Sequence, residues 1–268
     1  MNQNARAPLG GVLALVLASA MLLPAHTLAV MAGVLALTIV MFAVGWPALL
    51  ELPSPRGSGL IIAVMGLSAL AIAYVRQGQV DLTSLLITLI AVSVFLSFAH
   101  EMLRPARTHL TLSISGTASG ALLAIMTVTW LQAWTFASAK GPGPLLLLVS
   151  LTFGAAVAML ALALPVSGRI RIPVAIVGSA LVAGVLMALL GGALLVIVLA
   201  VAGGTIIATA ALSIFFLLER VIGAYDPRPF LAMSTAPLAL VGILSMLFVR
   251  IALSYFPTAM GLQVIPSL

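Results

Sequence analysis

The densest group of ionisable side chains in this chain is the run His100-Glu101-Met102-Leu103-Arg104-Pro105-Ala106-Arg107-Thr108-His109. Two guanidinium forks and two imidazoles so close together are donors suited to a phosphate or a carboxylate. The competing reading is an anchor, in which the arginines bind lipid headgroups and Glu101. Pro105 interrupts any single helix through the run, so spacing alone does not put His100, Arg104 and Arg107 on one face. Thr111, Ser115 and Ser119 follow at four-residue intervals and do share a helix face, with Thr108 a turn earlier and Ser113 and Thr117 off to the side. Hydroxyls in an apolar helix either bond back to their own backbone or line a polar path. Gly116 and Gly120 form a G-x-x-x-G, which lets another helix approach closely. The expectation is a segment that faces the interior of a helix bundle. Its substrate-binding row would comprise His100, Arg104, Arg107, His109, Thr111, Ser115 and Ser119, opening at the arginines.

A secondary cluster lies at Glu219-Arg220 and Asp226-Pro227-Arg228-Pro229. Asp-Pro-Arg-Pro reads as a rigid turn. Glu219, Arg220, Asp226 and Arg228 either neutralise one another or let Asp226 hold a divalent ion that bridges to a phosphate. One Asp and one Glu are a thin ligand set, so no metal site and no cofactor are expected. The chain contains no cysteine, which excludes thiolate catalysis, disulfides and cysteine metal sites. It has no Walker A loop, His100-Glu101 does not continue into H-E-x-x-H, and no G-x-S-x-G occurs.

What must position these residues is set by composition. Of 268 residues 63% are hydrophobic and 6% charged, with a net charge of +6. A soluble domain is about 25% charged. So few charges cannot cover a soluble surface, but a bilayer solvates apolar side chains. The segments are long continuous apolar runs rather than the alternating strands of a barrel, and only a helix satisfies its backbone within such a run. The fold expected is all-α, a single polytopic transmembrane domain over residues 1–268. With about 20 apolar residues per crossing, nine spans are read at 9–25, 28–50, 58–75, 82–99, 110–134, 144–166, 173–190, 193–218 and 230–249. Eight is the alternative, because only Gly191-Gly192 divides the uncharged stretch 172–218. With the N-terminus inside, the inner loops carry Arg6, Arg56, Arg104, Arg107, Arg169, Arg171, Arg220 and Arg228, and the outer side carries Arg76, Lys140 and Arg250. That bias follows the positive-inside rule and favours lipid headgroups over nucleic acid as the partner of the basic charge. A cleaved signal peptide ending near Ala29 is a competing reading of the first span.

Gly178, Ser179, Ala183, Gly184, Ala188, Gly191, Gly192, Gly203 and Gly204 make the seventh and eighth spans rich in small residues, for helix packing or for other membrane proteins. Gly203-Gly204 with Thr205 and Thr209 alternatively marks a broken helix of the transporter kind. Trp46, Trp130 and Trp134 fit interfacial anchors. Glu51-Leu52-Pro53-Ser54-Pro55-Arg56-Gly57 reads as a tight basic turn.

The segments Gly45-Trp46-Pro47-Ala48-Leu49-Leu50-Glu51-Leu52-Pro53-Ser54-Pro55-Arg56-Gly57 and Arg104-Pro105-Ala106-Arg107-Thr108-His109-Leu110-Thr111 resemble uncharacterised multi-pass membrane proteins of high-GC actinobacteria, which implies a bacterial plasma membrane and no particular activity. Length and span count also resemble phosphatidate cytidylyltransferases, but their acidic metal-binding signature is not matched by Asp226-Pro227-Arg228, so no catalytic residue carries over. Three functions follow in order. The first is a permease for an anionic or lipid-like substrate. The second is a non-catalytic subunit or scaffold in cell-envelope assembly. The third is a membrane-embedded lipid-phosphate enzyme, which needs Glu219 and Asp226 within about 5 Å of each other.

Overall fold

The computed structural model describes residues 8–23, 27–76, 82–104, 109–164, 166–219 and 228–261. Those residues form ten α-helices and no strand: α1 (Pro8–Ala20), α2 (Thr27–Leu49), α3 (Pro55–Val75), α4 (Leu82–Leu103), α5 (Leu110–Met126), α6 (Thr129–Lys140), α7 (Pro142–Ala161), α8 (Gly168–Leu189), α9 (Leu194–Glu219) and α10 (Arg228–Tyr255). Eight helical stretches are long and apolar enough to cross a membrane, with Leu110–Lys140 counted as one and Leu9–Ala20 a shorter ninth. The protein is an all-α, multi-pass membrane protein, as its composition demands.

The clearest differences from the sequence reading are at the fourth and fifth spans. The fifth span runs on to Lys140 and is broken at Thr127-Val128, where the Val128 amide bonds Ile125 O instead of a carbonyl one residue earlier in the chain. This is a tighter local turn than the α-helix. Helix α4 continues through His100 and Glu101 to Leu103, so both residues belong to the helix rather than to a loop. Stretch 172–218 is divided between α8 and α9, as the nine-span reading expects, with Gly191 at φ 78° in the connection, a conformation that glycine adopts without steric cost. Helix α9 is continuous through Gly203-Gly204, so no broken helix occurs there.

Two compact units emerge. Unit 1 takes Met1–Met31, Thr129–Ser213 and Val241–Leu268. Within it α7 packs against α1, α6 and α8. Glycine sets the closest approaches: Gly154 lies against Ser179, Gly184 against Val201, and Gly204 against the Ser179 carbonyl. Ser179 Oγ donates to Gly204 O at 3.0 Å. These small residues therefore bring α8 onto α7 and α9.

Unit 2 takes Ala32–Val128 and Ile214–Leu240. Helix α3 packs against α4 and α5. A methyl group at Gly120 would fall 2.6 Å from Ile62 Cδ1 and 2.7 Å from Trp46 Nε1, so the G-x-x-x-G does receive a neighbour. The neighbour is the Trp46 indole, whose Nε1 donates to Gly116 O at 2.8 Å. Trp46 is buried, with Phe42 at 5.0 Å between ring centroids, and is therefore a core residue of the unit. Trp46→Phe removes one buried hydrogen bond and part of a ring, and is expected to cost about 1–2 kcal/mol. Comparing the unfolding midpoints of the variant and the native protein in the same detergent checks this; equal midpoints would show that the indole N–H is not used.

Candidate functional site

Along α2, Val40, Ala43, Val44 and Ala48 fall on one face by their three- and four-residue spacing, and along α3 so do Pro55, Arg56, Gly59, Leu60 and Ala63. The absence of a side chain at Gly59 lets these two faces meet: a methyl there would lie 2.9 Å from Ala43 O. Away from that contact the faces diverge and leave a groove of about 890 Å³. Its walls are apolar, and Val40, Val44 and Leu60 are exposed. Its mouth is formed by Pro53, Ser54 and Arg56 from the α2–α3 connection, and by Arg228 at the start of α10. Among the described residues the lining contains two arginines and no acid.

Local chemistry explains why the arginines are there. Pro55 sits at the first position of α3, where a missing N–H costs nothing. Arg56 thus belongs to the first turn, at the positive end of the helix. Arg228 opens α10 in the same way. Close packing of α10 on α2 at Gly45 holds Arg228 beside the groove: a methyl at Gly45 would lie 2.8 Å from Arg228 O. Behind the mouth, His100 Nε2 and Ser54 Oγ share a hydrogen bond of 3.1 Å. Two arginines and two helix N-termini at the end of an apolar trough form a place for an anionic headgroup with its hydrocarbon laid along α2 and α3.

The residues singled out in the sequence are distributed otherwise. Arg104 pairs with Glu101 at 3.2 Å, and Ser113 Oγ donates to Glu101 Oε1 at 2.6 Å. Glu101 is only 1% exposed. Thr117 Oγ1 donates to Ser58 Oγ at 2.8 Å. The buried polar face of α5 is therefore Ser113 and Thr117. Thr111 and Ser115 are exposed and Ser119 is half-buried. Ser115 Oγ bonds Thr111 O at 2.7 Å and Ser119 Oγ bonds Gly116 O at 3.0 Å, so both hydroxyls turn to their own helix. The interior-facing expectation for that row is reversed. The physical reason is that back-bonding lets a hydroxyl sit in an apolar medium. His100 holds the α2–α3 connection, and His109 is exposed just ahead of α5. Of the secondary cluster, Glu219 is exposed at the end of α9 and Arg228 lines the groove. Arg107, Arg220 and Asp226 lie outside the described residues. Among the described residues no group of three or more His, Cys, Asp or Glu side chains could hold a metal ion.

Sequence reasoning missed Arg56, which it read as part of a turn, and the Glu101–Ser113 and Ser58–Thr117 contacts. No protein family, curated protein or solved structure matches the chain.

Proposed function

We propose that the protein is a lipid-handling permease of a bacterial plasma membrane, whose substrate is an anionic amphiphile taken into the α2–α3 groove. The observation that supports this reading is that Arg56 and Arg228 both line one apolar trough. Exposed apolar walls suit an acyl chain arriving sideways from the bilayer, and the arginine forks suit a phosphate. Membrane lipids are the partners on this reading.

The test is lipid retention and movement. Purified protein in mixed micelles should retain phosphatidylglycerol over phosphatidylcholine, and vesicles containing it should transfer the anionic lipid between leaflets faster than empty vesicles. A basic side chain at an anionic surface contributes about 1 kcal/mol. Arg56→Gln and Arg228→Gln are thus expected to lower retention about fivefold each and about thirtyfold together. Equal retention of the two lipids by the native protein sinks the groove reading.

A second reading, a non-catalytic subunit in envelope assembly, draws on the filled interior of unit 2. Trp46 occupies the glycine notch, and the Ser115 and Ser119 hydroxyls are spent on their own helix, so they line no polar path. Anionic lipid retained but not moved between leaflets would favour it over the permease.

A further inference from the structure

Unit 1 brings together two cations that the sequence places far apart. Gly242 of α10 sits against Thr129 and Trp130 at the start of α6, and the Arg250 guanidinium lies 4.9 Å from the Phe136 ring centroid. The two helices therefore ascend side by side in the same direction. At their upper ends Phe136, Lys140, Arg250, Leu253 and Ser254 line a pocket of about 520 Å³. Lys140 and Arg250 are both exposed to it, and among the described residues no acid is in the lining.

Helix dipoles account for only half of this arrangement. Lys140 ends α6, where a cation is favoured by the helix C-terminus. Arg250 lies more than a turn before the end of α10 at Tyr255, outside the reach of that effect. The Phe136 ring instead holds its planar fork toward the pocket. Two like charges facing one space repel each other unless an anion lies between them. The seam beneath the pocket has unused hydrogen-bonding capacity as well. Gln132 lies on the Phe136 and Lys140 face of α6, and Ser245 lies on the Leu253 face of α10. They are 8% and 0% exposed, and neither Gln132 Nε2 nor Ser245 Oγ has a partner among the described residues.

We propose that Lys140 and Arg250 form a phosphate-binding site, the phosphate being carried by a lipid headgroup or free in solution. The Arg250 fork matches two oxygens of a phosphate, and the Lys140 ammonium supplies a second, movable charge. Leu253 and Phe136 give the site an apolar wall, which a lipid would use and free phosphate would not.

The experiment has two arms, each run on the native protein and on the Arg56→Gln/Arg228→Gln variant, so that binding in the other unit drops out. In the first, protein in phosphatidylcholine nanodiscs is equilibrated with labelled inorganic phosphate. In the second, phosphatidylglycerol is added to the nanodiscs and retained lipid is counted by native mass spectrometry. Lys140→Gln and Arg250→Gln should each weaken binding about tenfold and together about a hundredfold, since a charged hydrogen bond is lost in each. Binding in both arms assigns free phosphate; binding in the second alone assigns the lipid headgroup. Arg250→Lys, which preserves charge and folding, should fall between native protein and Arg250→Gln. If the Lys140→Gln/Arg250→Gln protein binds as the native protein does in both arms, or if the native protein binds in neither, the proposal is overturned.

Discussion

Glu101→Ala is expected to destabilise the protein by about 3–5 kcal/mol, toward the lower end of that range. Its carboxylate is 1% exposed in the last turn of α4, and Arg104 and Ser113 compensate for its burial. Truncation removes the acceptor from both at once. Ser113 is fully buried and would keep a hydroxyl that has lost its charged partner, a loss of about 1–3 kcal/mol. Arg104 is 13% exposed and can turn its head toward the interface, which keeps the total near the lower bound. Glu101→Gln keeps an oxygen for Ser113 and should lose about half as much. Ser115→Ala is the contrasting case: its hydroxyl is exposed and bonded to its own helix, so a change within about 0.5 kcal/mol is expected. Unfolding curves of these variants in one detergent give the ranking, and a Glu101→Ala/Ser113→Ala double variant gives the coupling. Glu101→Ala as stable as the native protein, or effects of Glu101 and Ser113 that simply add, would remove this contact from the account.

The division into helices was legible because hydrocarbon thickness fixes a length and the sequence has few places to turn. The split at Gly191 can be checked by direction. Helices α6 and α10 run in the same sense, as the contacts of Gly242 and Arg250 require. Alternating crossings give that result only if an odd number of spans separates them, which α7, α8 and α9 supply. Had the stretch 172–218 been a single crossing, α10 would run the other way. What the sequence concealed was which side of a helix faces protein. Lipid is as apolar as a membrane protein's core, so the burial signal of soluble helices is missing. On α5 the wheel angle of about 100° per residue places Gly116 and Gly120 beside Ser113 and Thr117, and roughly opposite Ser115. The glycines therefore marked the packed face, and the Thr111–Ser115–Ser119 row belonged to the other. The groove was hidden for another reason. Arg56 and Arg228 line one groove because α10 packs on α2, a tertiary contact with no local signal.

Gly45→Ala should cost about 3 kcal/mol, at the top of the range for overpacking. A methyl at position 45 would collide with the Ala232 amide nitrogen and lie 2.8 Å from Arg228 O and 3.0 Å from Leu231 Cβ. Two of these three atoms are backbone, which cannot swing aside as a long side chain does, so α2 and α10 must part. Gly33 on the same helix has nothing within 4 Å, and Gly33→Ala should leave stability unchanged or raise it by about 0.5–1 kcal/mol. Parting α2 from α10 also moves Arg228 relative to Arg56. Anionic lipid retention should therefore fall in Gly45→Ala and persist in Gly33→Ala, although neither substitution touches a charge. Retention lost together with stability in the first and kept in the second ties the groove to helix packing. Retention unchanged in a destabilised Gly45→Ala protein would mean that Arg56 alone holds the headgroup, and that Arg228 is there to start its helix.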